Sequence, residues 1–251
     1  MRRALAGLLF VPFAMGCGLV FGISSGELDP DALGDGGRAD VATDSNPPTD
    51  APVKCDDPLL IDDLEDGNAA IPRCAGRQGA WSVFNDETAG GTQSPSPGAP
   101  FTLGTPGAPE SSKFAAHTSG RGYKKAGMRF ALNQVPGSER ETYDASGYSG
   151  IRFRAKMAEP LQKVYLNVRD KSRDPAGGVC TPGVCGDLFG EGFPVTTEWQ
   201  EFKVTWDKLE PDKDAGAAKV DSAHVYAIDF HVYSQEMIAF DFWVDDVAFL
   251  P

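Results

Sequence analysis

The chain has 251 residues, room for one large or two small domains, and its 29 Gly and 19 Pro against 41% hydrophobic residues favour many turns between short strands over long helices. A formal net charge of −13, with no Lys/Arg stripe to offset it, argues against nucleic acid as a partner, because an acidic surface repels phosphates. Neutral and cationic ligands stay open.

The chain starts with the basic pair Arg2 and Arg3, an apolar run from Ala4 to Met15, and Ala14-Met15-Gly16-Cys17. The run is too short to span a bilayer comfortably and reads as a signal peptide, residues 1–16, ending in a lipobox-like sequence. Cys17 then becomes the lipidated first residue of a lipoprotein. Gly18 replaces the Asp associated with inner-membrane retention, so the expected location is the outer membrane or cell surface, or secretion if the lipobox is unused. Residues 17–53, with GDGGRAD and TDSNPPTDAP, hold almost no large apolar side chains and read as a disordered tether.

Residues 54–251 carry the folded domain. Short strand candidates come first: Leu59 to Leu64, Trp81 to Phe84, Phe114 to His117 and Met128 to Leu132. Strict alternation follows, the mark of strands with one buried face. Ile151, Phe153, Ala155 and Met157 alternate with Arg152, Arg154 and Lys156. Val164, Leu166 and Val168 alternate with Tyr165, Asn167 and Arg169. The same pattern recurs in Phe202, Val204 and Trp206, and again in Ile228, Phe230 and Val232, which leave Asp229, His231 and Tyr233 on the opposite face. Phe240, Phe242, Val244 and Val247 mark a last strand. Gly90 to Pro109 and Asp170 to Gly186 read as long loops, and Asp207 to Leu209 gives the one helical hint. The sum is an all-β domain of the sandwich class.

With Cys17 set aside, Cys55, Cys74, Cys180 and Cys185 form an even set in an oxidising compartment. Of three pairings, closeness in sequence favours Cys55 with Cys74 and Cys180 with Cys185. Catalytic motifs are lacking: there is no GxSxG, HExxH or P-loop. His117, His224 and His231 are scattered, and a lone histidine is more often a strand or surface residue than a base. Carboxylates abound, but a glycosidase needs two at a defined separation across a cleft. Two acidic clusters stand out by position, Asp62-Asp63-Leu64-Glu65-Asp66 at the start of the domain and Asp245-Asp246 in its last strand. Both read as solvated strand ends, or as oxygen ligands from both ends of the domain sharing one hard cation.

The ordered set of IDDLEDG, Trp81, Gly127-Met128-Arg129-Phe130, Tyr148 to Phe153, Thr196 to Phe202, Val225 to Val232 and Phe242 to Val247 resembles the calcium-stabilised jelly-roll carbohydrate-binding modules, most closely the family 11 type. The similarity runs from about Leu59 to Leu250. It implies a jelly-roll β-sandwich of two antiparallel sheets and a structural Ca2+ held by Glu65 and Asp245 with carbonyl oxygens. It implies a monomeric, non-catalytic module that binds a polysaccharide across its concave sheet. Tyr165, Asn167, Arg169, Asp229, His231 and Tyr233 are the expected ligand-binding residues, together with Glu191 near Phe189. Glu191 and Val232 stand where the family carries cleft tyrosines, so its preference for β-linked glucans does not carry over. The rival reading is a structural or protein-interaction lipoprotein that keeps the fold without a glycan site. Trp206 alternates with apolar partners, and a tryptophan in such a strand belongs to a core more often than to a ligand site.

Overall fold

The computed structural model describes residues 56–104, 112–134, 139–159, 163–175, 179–211, 213, 218–237 and 239–251. The expected signal peptide, the lipidation site Cys17, the tether and Cys55 lie outside them. Among the described residues there are strands and short 3-10 turns but no α-helix. The strands are β1 (Leu60–Asp62), β2 (Ala70–Ile71), β3 (Gly79–Asn85), β4 (Thr92–Ser94), β5 (Leu103–Gly104), β6 (Ala115–Arg121) and β7 (Lys125–Ala131). They continue as β8 (Gly150–Met157), β9 (Lys163–Asp170), β10 (Phe189–Pro194), β11 (Gln200–Thr205), β12 (Val225–Tyr233) and β13 (Phe240–Leu250).

Two antiparallel sheets face each other in a jelly-roll β-sandwich. One runs β11-β8-β13-β6-β4, with β1 on β13 and β5 on β6; the other runs β10-β9-β12-β7-β3-β2. β8 and β9 alternate buried and half-buried residues as their sequence pattern requires. Their buried sides meet between the sheets, where the ring of Phe153 on β8 stands edge-on to Phe230 of β12 at 4.9 Å and to Phe193 of β10 at 5.3 Å. Such edge-to-face pairs add about 1 kcal/mol each to the burial of the rings.

Several elements differ from expectation. β4 and β5 lie inside the stretch read as a Gly/Pro/Ser loop, because β6 offers a free edge and pairs with both. β10 interrupts its alternation with glycines in FGEGF, which hid it. The strand expected to reach Trp206 ends at Thr205; a 3-10 turn over Trp206–Lys208 takes over, and the indole of Trp206 donates to the carbonyl of Tyr148 at 2.7 Å. Cys180 and Cys185 form a disulfide. Cys74 is disulfide-bonded as well, to a partner outside the described residues.

The opening acidic cluster turns out to be partly structural. Asp62 is fully buried in β1, where its carboxylate accepts from the Leu64 amide at 2.9 Å and the Trp81 indole at 2.8 Å. Trp81 is thereby a core residue. Burial is the main cause that pushes Asp62 up to about 7. A carboxyl whose folded pKa is raised binds a proton that the unfolded chain has already released, so its contribution falls as pH rises from about 4 to about 7. Asp62→Asn removes this loss. The variant's melting temperature relative to the parent is therefore expected to climb between pH 5 and pH 7 and to level off above pH 8, as read by thermal denaturation. A difference independent of pH would contradict the buried, neutral Asp62. Comparing the two proteins isolates Asp62 from buried His231, whose depressed pKa acts in the opposite direction.

Candidate functional site

β9 and β12 run side by side with His231 opposite Tyr165 and Asp229 opposite Asn167. The outward sets Tyr165, Asn167, Arg169 and Asp229, His231, Tyr233 therefore share one face of one sheet. On the far side of β12, Gly127 of β7 lies opposite His231 and Arg129 opposite Asp229; β3 then sets Phe84 opposite Gly127. On the near side, Gly192 of β10 lies opposite Tyr165 and Gly190 opposite Asn167.

The two glycines at the ends of this arrangement make room for rings. A Cβ on Gly127 would sit 2.6 Å from the Cβ of His231, and one on Gly192 would sit 2.7 Å from the Tyr165 ring. With those positions vacant, Phe84, His231 and Tyr165 form a row across the sheet, with centroids 6.2 Å and 5.4 Å apart. Tyr233, on the same face, is 47% exposed.

Tyr165, Asn167, His231 and Tyr233 line one open cleft of about 680 Å³, together with Glu191 and Lys125; segments around Leu188 and Pro211 form its walls. Glu191 enters from the sheet edge, since its register partner is the inward-facing Leu166. Burial, with the charges of Lys125, Arg169 and Arg129 adding, holds His231 well below the usual imidazole range, so the ring is neutral at pH 7. Its Nδ1 is buried without a hydrogen-bond partner. The cleft thus offers Tyr165 stacked on the buried His231, the exposed ring of Tyr233, the amide of Asn167, the carboxylates of Asp187, Glu191 and Glu210, and the ammonium groups of Lys125 and Lys208.

Arg169 and Asp229 take a different position. The Arg169 Nε lies 2.9 Å and 2.8 Å from the two carboxylate oxygens of the fully buried Asp229, and its Nη1 lies 3.4 Å from Asp174. This pairing satisfies both residues and sets them at the end of the face, beyond the cleft lining.

The two residues expected to hold calcium sit where β13 bulges. The register of β13 on β8 shifts between Asp245 and Ala248, and Asp246 takes a left-handed backbone with φ of 49°. Asp245 is fully buried; one of its carboxylate oxygens accepts from the Asp246 amide at 2.8 Å, while Oδ2 makes no hydrogen bond. Burial, with Asp246 and Glu65 adding, pushes Asp245 up to about 8. Glu65 accepts from the amides of Lys113 at 2.7 Å and Phe114 at 3.2 Å. Among the described residues no three His, Cys, Asp or Glu side chains converge on one metal position. A cation here would draw the rest of its shell from backbone carbonyls and water, as calcium does.

Of the cleft residues, Lys125 and the paired glycines of β10 escaped the sequence reading, as did the place of Phe84 in the neighbouring ring row. Phe84 alternates out of phase with Trp81 and Val83, which was the available signal for an outward ring.

No protein-family model and no curated protein matches the chain. Solved structures do. The family 11 carbohydrate-binding module of the cellulosomal cellulase Lic26A-Cel5E of Clostridium thermocellum is 14% identical, covers 76% of this chain and 92% of its own, with a TM-score of 0.49. A family 11 module from Clostridium thermocellum in complex with a β-1,3-1,4-mixed-linked tetrasaccharide is 16% identical, covering 68% of this chain and 88% of its own, with a TM-score of 0.48. An exo-β-agarase is 11% identical and covers 77% of this chain but 25% of its own, with a TM-score of 0.44. With identities this low and scores below 0.5, the functional reading has to rest on this chain's own cleft.

Proposed function

We propose that the chain is a non-catalytic carbohydrate-binding module that holds a polysaccharide in the cleft of the β10-β9-β12-β7-β3-β2 sheet. The observation that carries this reading is one open cleft lined by half-buried Tyr165 and exposed Tyr233 together with Asn167, Glu191 and Lys125. Sugar rings pair an apolar face with a polar rim; flat aromatic side chains bordered by hydrogen-bonding groups complement both. The test is a glycan array probed with the full chain in detergent and with calcium present. Saturable binding to one glycan class supports the module, and no binding across neutral and acidic glycans would remove it.

Calcium at Glu65 and Asp245 belongs to the same proposal. The buried Asp245 Oδ2 without a hydrogen bond is an oxygen that a cation would satisfy, and the site joins the segment after β1 to the last strand. When bound, the ion supplies charge compensation and a fixed bulge rather than chemistry on a ligand.

The lipid anchor on Cys17 and a place at the outer membrane or cell surface complete the reading, supported by the basic, apolar and lipobox-like order of the first residues. A monomer on such a tether would present its cleft to extended glycans. Cys17→Ser is expected to move the chain from the membrane fraction to the soluble fraction, followed by immunoblotting; an unchanged distribution would contradict the anchor.

A further inference from the structure

A second cavity of about 650 Å³ lies on the same face as the cleft, lined by Ser82 of β3, Arg129 and Ala131 of β7, Ala227 of β12, and Glu139 and Arg140. On β7, Arg129 stands four residues from Lys125 of the first cleft, about 13 Å along the strand. A single sugar does not bridge that distance, whereas an oligosaccharide lying along the face does.

Arg129 and Arg140 of this lining belong to a layered charge cluster. Arg129 lies 3.4 Å from Asp229, Arg169 lies 2.8 Å from Asp229, and Arg140 lies 3.2 Å from Asp174. The carboxylate side chains of Asp229 and Asp174 are 0% and 1% exposed, whereas Arg129, Arg140 and Arg169 keep 23%, 20% and 15%. The acids lie beneath and the guanidinium groups above, so a ligand arriving on this face meets N–H donors. Arg129 is placed for recognition. Its guanidinium stacks on Phe84 at 4.0 Å, which fixes its plane at the end of the aromatic row. Its Nε, although close to Asp229, is buried and makes no hydrogen bond. Burial and the neighbouring Arg169 and Arg140 act against its charge while Asp229 supports it, an arrangement that a further anion would relieve. Glu139 is the one acidic side chain in the lining of this cavity, and it is exposed at the rim.

We infer that the glycan bound by this module is acidic, and that Arg129 and Arg140, the two guanidinium groups lining the second cavity, receive a carboxylate or sulfate group of the chain while Tyr165 and Tyr233 hold neighbouring sugars. This rests on the carbohydrate-binding reading and adds the class of ligand and its direction. The first cleft carries Glu191, Asp187 and Glu210 against Lys125 and Lys208 and does not favour an anion, so the acidic unit sits at the β7 end. The net charge of −13 opposes a polyanion at long range, which makes recognition a matter of contact geometry. Planar guanidinium groups supply the paired donors that carboxylate and sulfate accept.

The test is calorimetric titration of the full chain in detergent with calcium. The probes are an oligogalacturonate, its methyl ester, a sulfated galactan oligosaccharide and a neutral galactan oligosaccharide of equal length. The charged form of at least one pair is expected to bind about tenfold or more tightly than its uncharged counterpart. Whether the uronate or the sulfate pair shows the larger preference identifies the anion. Arg129→Gln is expected to abolish that preference while leaving the uncharged form bound, Arg129→Lys to restore part of it, and Glu139→Gln to strengthen the charged form alone. Should Arg129→Gln not fold, the Arg129 side-chain Nε–H resonance of the parent protein is expected to shift on adding the charged probe and not the uncharged one. Equal binding of charged and uncharged partners, lost on Tyr165→Ala, would overturn the acidic-ligand inference and leave the module standing. No binding of any of the four probes by a chain that binds a neutral glycan on the array would overturn the acidic-ligand inference alone, and no binding here or on the array would overturn both.

Discussion

Replacing Tyr165 and Tyr233 together by alanine is expected to weaken glycan binding by about 100-fold while shifting the melting temperature by only a few degrees. The two effects separate because of where the rings sit. Tyr233 is the most exposed aromatic side chain of the domain's described residues and contributes little to the core. Tyr165 is half-buried and rests against His231 and the open backbone of Gly192, so its loss removes one ring contact without opening a cavity between the sheets. For binding, each ring is a central, rigid contact, and truncation of such an anchor costs about 2 kcal/mol, with incomplete additivity between neighbours. Tyr165→Phe keeps the flat face and is expected to retain most of the affinity. Isothermal titration with the best glycan from the array measures both. A folded double variant that binds as tightly as the parent would displace the site from this face.

Removing calcium is expected to lower the melting temperature by about 5–10 °C. A ligand present at a hundred times its dissociation constant stabilises the folded state by about 2.7 kcal/mol, and a domain of this size responds by roughly 2–4 °C per kcal/mol. The structural reason is specific: without a cation, Asp245 Oδ2 is a buried oxygen without a hydrogen bond, in a carboxyl group close to Glu65 and Asp246. Differential scanning calorimetry in excess EDTA and in calcium measures the shift. The same midpoint in both would remove the ion from the account. Asp245→Asn is expected to abolish the calcium response, which distinguishes this site from adventitious ions.

Most of the sheet architecture was legible in the sequence, for a physical reason. β8 and β9 face a core on one side, and period-two alternation records that burial directly; in β12 the alternation is one of residue type, since Asp229 and His231 are buried as well. β4 and β5 were not legible because edge pairing to β6 leaves no apolar signature, only a backbone one. For the candidate site, alternation alone set Tyr165, Asn167, His231 and Tyr233 on outward positions, but whether they met depended on β9 lying next to β12, which a single chain does not reveal. The same adjacency separated Arg169 and Asp229 from the cleft lining: outward residues of opposite charge on neighbouring strands find each other first. The row ending in Phe84 depends on Gly127 between the strands, a contribution made by an absent side chain and visible only once the register is known.

The most direct test of the central claim is amide chemical-shift mapping of the isotope-labelled chain as the best-binding glycan from the array is added with calcium present. The shifts are expected to concentrate at Tyr165, Asn167, Gly190, Gly192, His231 and Tyr233. Shifts confined to the opposite sheet, around His117 and Trp243, or no shift with any glycan, would contradict it.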